Sequence, residues 1–438
     1  MADKKQSVKE GRKDSQLRVY SRSEHNISRT QISENALKVL YRLKKSGYEA
    51  YLVGGCVRDL LLGLEPKDFD VATDASPEQV RKTFRNCRLI GRRFRLAHVH
   101  FGREIIEVAT FRSSEDGDKE SQRVHDDGRL LRDNVFGTIE DDVWRRDFTV
   151  NALYYNIRDF SVIDYMDGMA DHSAGVLKLI GDPATRYRED PVRMLRAVRF
   201  SVKLGFSLEP LTEKPIFELA HLLKSIPSAR LFDETLKLFL SGKALQTFEM
   251  LRHYGLFVIL FPQSDHCLDF EDHDFPRLFI ARALENSDAR IAEGKNITPY
   301  FLLSAFLWES VQSLAREKME QGDDESFAYQ NAASEVLSEQ VKSLSIPRRI
   351  TQSMREVWLL QLRLNRRIGV RPFRLLAHPR FRAAYDFLLL RAETGGAEME
   401  LAQWWTKFQS ASEAEQKKMT QPPRKNKKNK KKNPVNNV

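Results

Sequence analysis

The stretch Tyr51–Thr73, YLVGGCVRDLLLGLEPKDFDVAT, constrains the chain more than any other. An apolar run, Tyr51 to Val53, enters two glycines. Gly54 and Gly55 can take backbone angles closed to other residues, and without a Cβ they let an anion approach the main chain. Val57 to Leu62 then reads as a short helix starting beside that turn, so its first N–H groups and its dipole favour negative charge there. Lys67 to Val71 reads as a second strand. Side chains two apart in a strand share a face, so Asp68 and Asp70 are expected to stand together while Phe69 and Val71 enter the core. Paired carboxylates repel and are costly to ionise without a cation. A hard divalent ion such as Mg²⁺, which binds one or two carboxylates and completes its shell with water and phosphate, fits them. Asp116/Asp118 and Asp272/Asp274 share the spacing, but in polar, loop-like surroundings.

This stretch resembles the nucleotidyltransferase head of the class that contains bacterial poly(A) polymerases and CCA-adding enzymes. The motifs GGCVRD, KDFD, GRRFRLAHVHFG, IIEVATFR, RRDFTVNAL, EDPVRMLRAVRF and SARLFDETLKLF follow in order between Ser33 and Phe408. The GRRFRLAHVHF stretch and the basic C-terminal run are more similar to the poly(A) polymerase branch than to the CCA-adding one. Cys56 stands where some members of the class have glycine.

Bulk properties agree with a large RNA-handling protein. The 438 residues allow two or three domains with sizeable cores. No run approaches the roughly 18 apolar residues of a membrane span. The N-terminus lacks an apolar signal region, and three scattered cysteines form no CxxC pair, so a cytoplasmic protein without disulfides is expected. Of the net charge of +10, seven units lie in Arg424–Lys432, which points to a polyanionic partner for the tail.

In chain order, residues 1–30 are polar and aperiodic and read as a disordered arm. A catalytic head is expected over 31–174. Ser33 caps a helix over Glu34–Lys45 there, and strands follow near Arg88–Ile90, Ala97–Phe101 and Glu104–Phe111. Arg92, Arg93 and Arg95 form a basic turn that suits phosphate or plain solvation. Glu107, an acid in an apolar strand, needs a partner or a metal, and is taken as a third carboxylate facing Asp68 and Asp70. Ser113–Arg129 reads as a loop. In VWRRDFTVNALYY, Arg145 and Arg146 can neutralise triphosphate charge. Asp147 suits an ion pair, a metal link or a brace for the arginines, and the residues alone do not choose among these.

A helical neck is expected over 175–245 and a helical body over 246–410, followed by a disordered basic tail over 411–438. In the neck, Asp190 precedes Pro191 as a helix cap. Asp190, Arg193 and Arg196 recur along one helix face, which suits either base reading or an ordinary surface ion pair. RLNRRIGVRPFR, Arg363–Arg374, is a basic patch that suits RNA contact or a solvated helix end. A sheet-forming head and a helical remainder make the fold class α+β.

The resemblance implies a template-independent poly(A) polymerase that adds AMP from ATP to RNA 3′ ends, the CCA-adding reaction being the alternative. It implies that Asp68, Asp70 and Glu107 hold Mg²⁺, that Asp147 belongs to the active site, and that Gly54, Gly55, Arg58, Arg145, Arg146 and Asn151 bind the nucleotide. It further implies that Asp190, Arg193 and Arg196 select the base. Expected partners are mRNA and small-RNA 3′ ends, ATP and the RNA-decay machinery. A non-catalytic RNA-binding module would leave the three acids repelling RNA. A dinucleotide-binding oxidoreductase would need a third spaced glycine opening a long helix.

Overall fold

The computed structural model describes residues 17–91, 95–113, 123–124, 130–131, 136–269 and 275–422. The chain divides into two compact units, Met1–Leu222 and Leu223–Val438. That division falls inside the stretch expected as the neck.

The first unit is organised on one eight-stranded sheet. Its strands are β1 (Arg18–Tyr20), β2 (Ala50–Val53), β3 (Asp70–Thr73), β4 (Cys87–Ile90), β5 (Leu96–Phe101), β6 (Glu104–Thr110), β7 (Leu153–Asn156) and β8 (Val162–Asp164). Their order is β1-β8-β7-β2-β3-β6-β5-β4. Every pairing is antiparallel except β3 with β6, which run parallel. A parallel pair needs a crossover, supplied here by the segment between Thr73 and Glu104.

Helix α1 (Glu34–Lys45) forms as its sequence dictates. The Ser33 hydroxyl accepts from the Asn35 and Ala36 N–H groups, and Ala36, Val39, Leu40 and Leu43 are buried. They join Leu52, Val71, Val99, Ile106 and Tyr155 in the main core of the unit. Helices α2 (Gly55–Leu61), α3 (Pro77–Thr83), α4 (Ile139–Arg145), α5 (Gly168–Ala174), α6 (Pro183–Glu189), α7 (Val192–Leu204) and α8 (Pro210–Leu219) complete this unit.

Two expectations are corrected here. Residues 17–30 are folded, not part of a structureless arm. Arg18–Tyr20 pairs with Val162–Asp164, and Ile27 is fully buried. An edge strand gains its backbone hydrogen bonds from a neighbour distant in sequence, so local polarity did not reveal it. The strand expected over Lys67–Val71 begins only at Asp70. On one side its partner β2 pairs Leu52 with Val71 and then turns at Gly54, so the ladder on that side stops there.

The second unit is helical. Its long helices include α9 (Pro299–Glu320), α10 (Glu325–Ser343) and α11 (Arg348–Leu364), later joined by α12 (Phe381–Glu393) and α13 (Met399–Ser410). Two buried indoles are tied to backbone: Trp358 Nε1 donates to Ser304 O at 3.2 Å and Trp405 Nε1 to Leu364 O at 2.9 Å. Part of the expected tail is ordered, because Ser412 forms a capping box with Glu415 and starts a helix over Glu413–Met419. No described helix is long and apolar enough to cross a membrane.

Candidate active site

The site lies at the β2–α2 turn and the single parallel junction of the sheet. Gly54 has φ +76°, the left-handed region that a side chain disfavours, and α2 begins at once with Gly55. Beside it, Asp70 opens β3 and is in register with Glu107 of β6. Directly paired residues on neighbouring strands share a face, so the two carboxylates project together. Burial first, and then Glu107, raise the Asp70 carboxyl to about 6, with Arg146 opposing the rise. Asp68 sits in an exposed bend ahead of the strand, near enough to add to that repulsion. His98, opposite Glu107 on β5, brings Nε2 to 3.4 Å from Glu107 Oε2. Among the described residues, no three His, Cys, Asp or Glu side chains are gathered closely enough to hold an ion by themselves. What the fold supplies is a crowded pair, Asp70 and Glu107, with Asp68 alongside.

Arg146 ends α4 at this turn. Its Nη2 is 2.9 Å from Asp142 Oδ2, and its Nε donates to the Tyr154 hydroxyl at 2.9 Å. Burial works against its charge, but Tyr154 and Asp142 outweigh that and hold its pKa above the usual range. Arg145 is half-buried, which lowers its pKa, with Asp142 opposing.

Arg58 is not at the surface of the turn. It is 2% exposed, with Nε 2.8 Å from Asp59 Oδ1, Nη1 donating to Asn151 Oδ1, and its guanidinium 5.2 Å from the Phe200 ring centroid. These contacts put Arg58 on the packed side of α2. Its Nη2 also stands 3.5 Å from where a Cβ on Gly55 would lie, so the buried guanidinium backs directly onto the turn.

Asn151 continues the chain inward from Arg58. Its Nδ2 donates to Asp147 Oδ1 at 3.2 Å, and Asp147 Oδ1 also accepts from the Phe148 N–H at 2.8 Å. Asp147 Oδ2 takes both Nε, at 2.7 Å, and Nη2 of Arg196. Burial would raise the Asp147 carboxyl, but Arg196, Asn151 and the Phe148 N–H together outweigh it and hold the group below its ordinary value. Of the three roles open to Asp147, the geometry displays ion pair and brace. It ties the RRDFT segment to α7.

Asp190, Arg193 and Arg196 each meet a different partner in this structure. Asp190 Oδ1 accepts from the Val192 N–H at 3.3 Å and so caps the entry to α7. Arg193 folds back on α6, with Nη1 2.7 Å from Arg186 O and 3.1 Å from Glu189 Oε2. Arg196 turns to Asp147. Each guanidinium has found an acceptor within its own unit.

Several contributors were not singled out from sequence. Phe200 lies under Arg58, Arg196 and Arg199, at 5.2, 5.2 and 4.7 Å from its ring centroid. Asp59 holds Arg58, and Lys203 comes within 3.6 Å of Asp59. Arg186 donates from Nη2 to the Arg146 carbonyl at 2.7 Å, satisfying the end of α4. Asp142 was detectable, since it stands four residues before Arg146, the spacing of a helical ion pair. Phe200 and Asp59 carried no such signal.

Arg92, Arg93, most of Ser113–Arg129 and the basic run after Pro422 lie outside the described residues. Arg95 is described and pairs with Glu78 at 2.8 Å. In the second unit, Arg363, Arg366, Arg371 and Arg374 are exposed, and Arg367 pairs with Glu400 at 3.0 Å.

Comparison with known families matches the poly A polymerase head domain to residues 50–178. The probable RNA and SrmB-binding site of polymerase A matches residues 205–268, and the polymerase A arginine-rich C-terminus matches 321–437. Poly(A) polymerase I of Salmonella typhi is 53% identical over 409 residues, 92% of this chain and 88% of that protein. A CCA-adding enzyme of Lactobacillus delbrueckii is 38% identical over 231 residues, 53% of this chain and 56% of that one. The crystal structure of the Bacillus stearothermophilus CCA-adding enzyme in complex with CTP superposes with a TM-score of 0.55 at 26% identity, covering 85% of this chain and 80% of that one.

Proposed function

This chain belongs to the bacterial poly(A) polymerase family, and on that footing we propose a template-independent polynucleotide adenylyltransferase that extends RNA 3′ ends with AMP from ATP, releasing pyrophosphate. The observation that carries the reading is the placing of Asp70 and Glu107 side by side at the turn where Gly54 opens the backbone.

The donor set fits a divalent cation. Two crowded carboxylates, one of them pushed up to about 6 by burial and its neighbour, present hard oxygens whose repulsion a cation would relieve. Asp70 and Glu107, joined by Asp68, would hold Mg²⁺. When bound, such an ion neutralises phosphate charge and activates the attacking hydroxyl. The protein's own share is positioning and charge. The Gly54–Gly55 turn admits the triphosphate to the main chain, and Arg146 faces that turn as a permanent cation. Asp147 and Asn151 hold the RRDFT segment against α7, which carries Arg193 and Arg196 for base selection. The exposed arginines of Arg363–Arg374 and the basic tail supply sequence-blind RNA contacts. Three free cysteines suit a reducing cytoplasm, and RNA polyadenylation leading to decay is the expected setting.

The test is nucleotide addition with Mg²⁺, offering ATP, CTP or both, on a generic RNA and on a tRNA lacking its terminal CCA. Long tails on generic RNA with ATP alone are expected. Addition that stops after three nucleotides, on tRNA only and needing CTP, would replace this reading with the CCA-adding one. Asp70→Ala is expected to abolish tailing while leaving RNA retention on a filter largely intact, and substantial remaining activity would sink the metal assignment.

A further inference from the structure

Arg146 is clamped along the edge that carries Nε and Nη2, while Nη1 makes only a long bond to backbone. Asp142, one turn back on α4, accepts from Nε at 3.2 Å and from Nη2 at 2.9 Å. The Tyr154 hydroxyl accepts from Nε at 2.9 Å and donates to Asp142 Oδ2 at 2.7 Å, closing a triangle. The Tyr154 ring lies under the same guanidinium, 5.1 Å from centroid to carbon. Nη1 remains on the far edge. It points to the Asn151 carbonyl at 3.4 Å and would touch a Cβ placed on Gly54, also at 3.4 Å. Tyr154 is fully buried, so the clamp is part of the core beneath the turn.

We propose that Asp142 and Tyr154 are positioning residues for nucleotidyl transfer, holding the Nη1 edge of Arg146 against the Gly54 turn where the triphosphate of the incoming nucleotide is received. The proposal rests on the reading of that turn as the triphosphate seat. A guanidinium is planar with donors in a fixed fork, so clamping Nε and Nη2 determines where Nη1 points. An unclamped arginine would lose side-chain freedom on meeting the nucleotide, whereas this one has already done so. Tyr154 is suited to the task by its hydroxyl alone. It accepts from Arg146 and donates to Asp142 at once, and phenylalanine would fill the same core volume with neither bond.

The experiment is Tyr154→Phe in the full chain, followed by steady-state AMP addition to an oligoribonucleotide at varied ATP. Loss of both hydrogen bonds of the Tyr154 hydroxyl, one to Arg146 and one to Asp142, predicts a rise in KM for ATP of at least about five- to tenfold. The fall in kcat should be smaller and RNA affinity unchanged, with the variant still folded at the assay temperature by circular dichroism. Arg146→Lys, which cannot be clamped in the fork geometry, should raise KM at least as much, and adding Tyr154→Phe to it should cause no further loss. An unchanged KM in Tyr154→Phe, or additive effects in the double variant, would overturn the positioning role while leaving the seat intact. A normal KM in Arg146→Lys would instead remove the triphosphate seat, and the proposal with it.

Discussion

Asp147→Asn isolates the charge at the centre of the network joining α2, the RRDFT segment and α7. The substitution changes almost no volume, so no cavity is created. All of the bonds that reach Asp147 come from donors: Arg196 Nε at 2.7 Å, Arg196 Nη2, the Phe148 N–H at 2.8 Å and Asn151 Nδ2 at 3.2 Å. A carboxylate accepts on both oxygens, but an amide accepts on one and places N–H groups against donors on the other. Turning Asn151 over does not help, because its Oδ1 is needed by Arg58. One edge therefore loses two bonds and gains a donor–donor clash. Charge-assisted bonds are worth about 1.5–3 kcal/mol each. Arg196 keeps 32% of its side-chain exposure and can recover some solvation, so the low end applies and the total is ~3 kcal/mol. For a unit of roughly 200 residues that loss lowers the melting temperature by roughly 6–12 °C. The assay is chemical and thermal unfolding of the parent and Asp147→Asn. Alongside it, ATP and CTP incorporation are compared on one RNA, since a loosened α7 should blur base choice. A variant within about 0.5 kcal/mol of the parent, with its nucleotide preference unaltered, would show that Asp147 is no brace.

The same carboxyl sets an acid limit. Its folded pKa is depressed, so its stabilisation is fully present above the unfolded value of about 3.9 and is lost as pH falls through that value towards the folded one. Acid unfolding followed by circular dichroism should be steeper below about pH 4 in the parent than in Asp147→Asn, and identical slopes would contradict the assignment. Thiol chemistry offers an independent check of packing at the turn. Cys56 is 3% exposed and burial pushes its thiol up to about 12, while Cys87 is 9% exposed and only Cys267 is partly open. Native protein at pH 8 should therefore release at most about one equivalent of thionitrobenzoate quickly, with the others reacting only in denaturant. Rapid modification of Cys56 would mean that the Gly54 turn is far looser than described.

Sequence was most legible where neighbours along the chain do the work. Ser33 and the apolar spacing after it defined α1 to its last residue. The glycine pair marked the turn, and Glu107 stood out as an acid in an apolar strand. The helical character of the second unit followed from periodicity alone. Legibility ended where a residue's partner is remote. Arg58 reads as a surface cation beside a phosphate turn, and only the packing of Asn151 and Phe200 against it shows that it is a core residue.

The sequence by itself determined the chemistry available: a glycine turn, acids two apart, arginines in pairs, a basic tail and an α+β division. Those are properties of residue type and short-range spacing, which backbone geometry converts directly into local structure. Tertiary structure alone decided which groups act on which. Register across the parallel β3–β6 pair brought Asp70 beside Glu107, residues 37 positions apart by their numbering. Folding set two guanidinium groups against the turn, Arg58 buried behind Gly55 and Arg146 beside Gly54. Hydrogen-bond partnership across a fold depends on distances that no spacing along the chain encodes, so the division of labour among these arginines became visible only once the chain was folded.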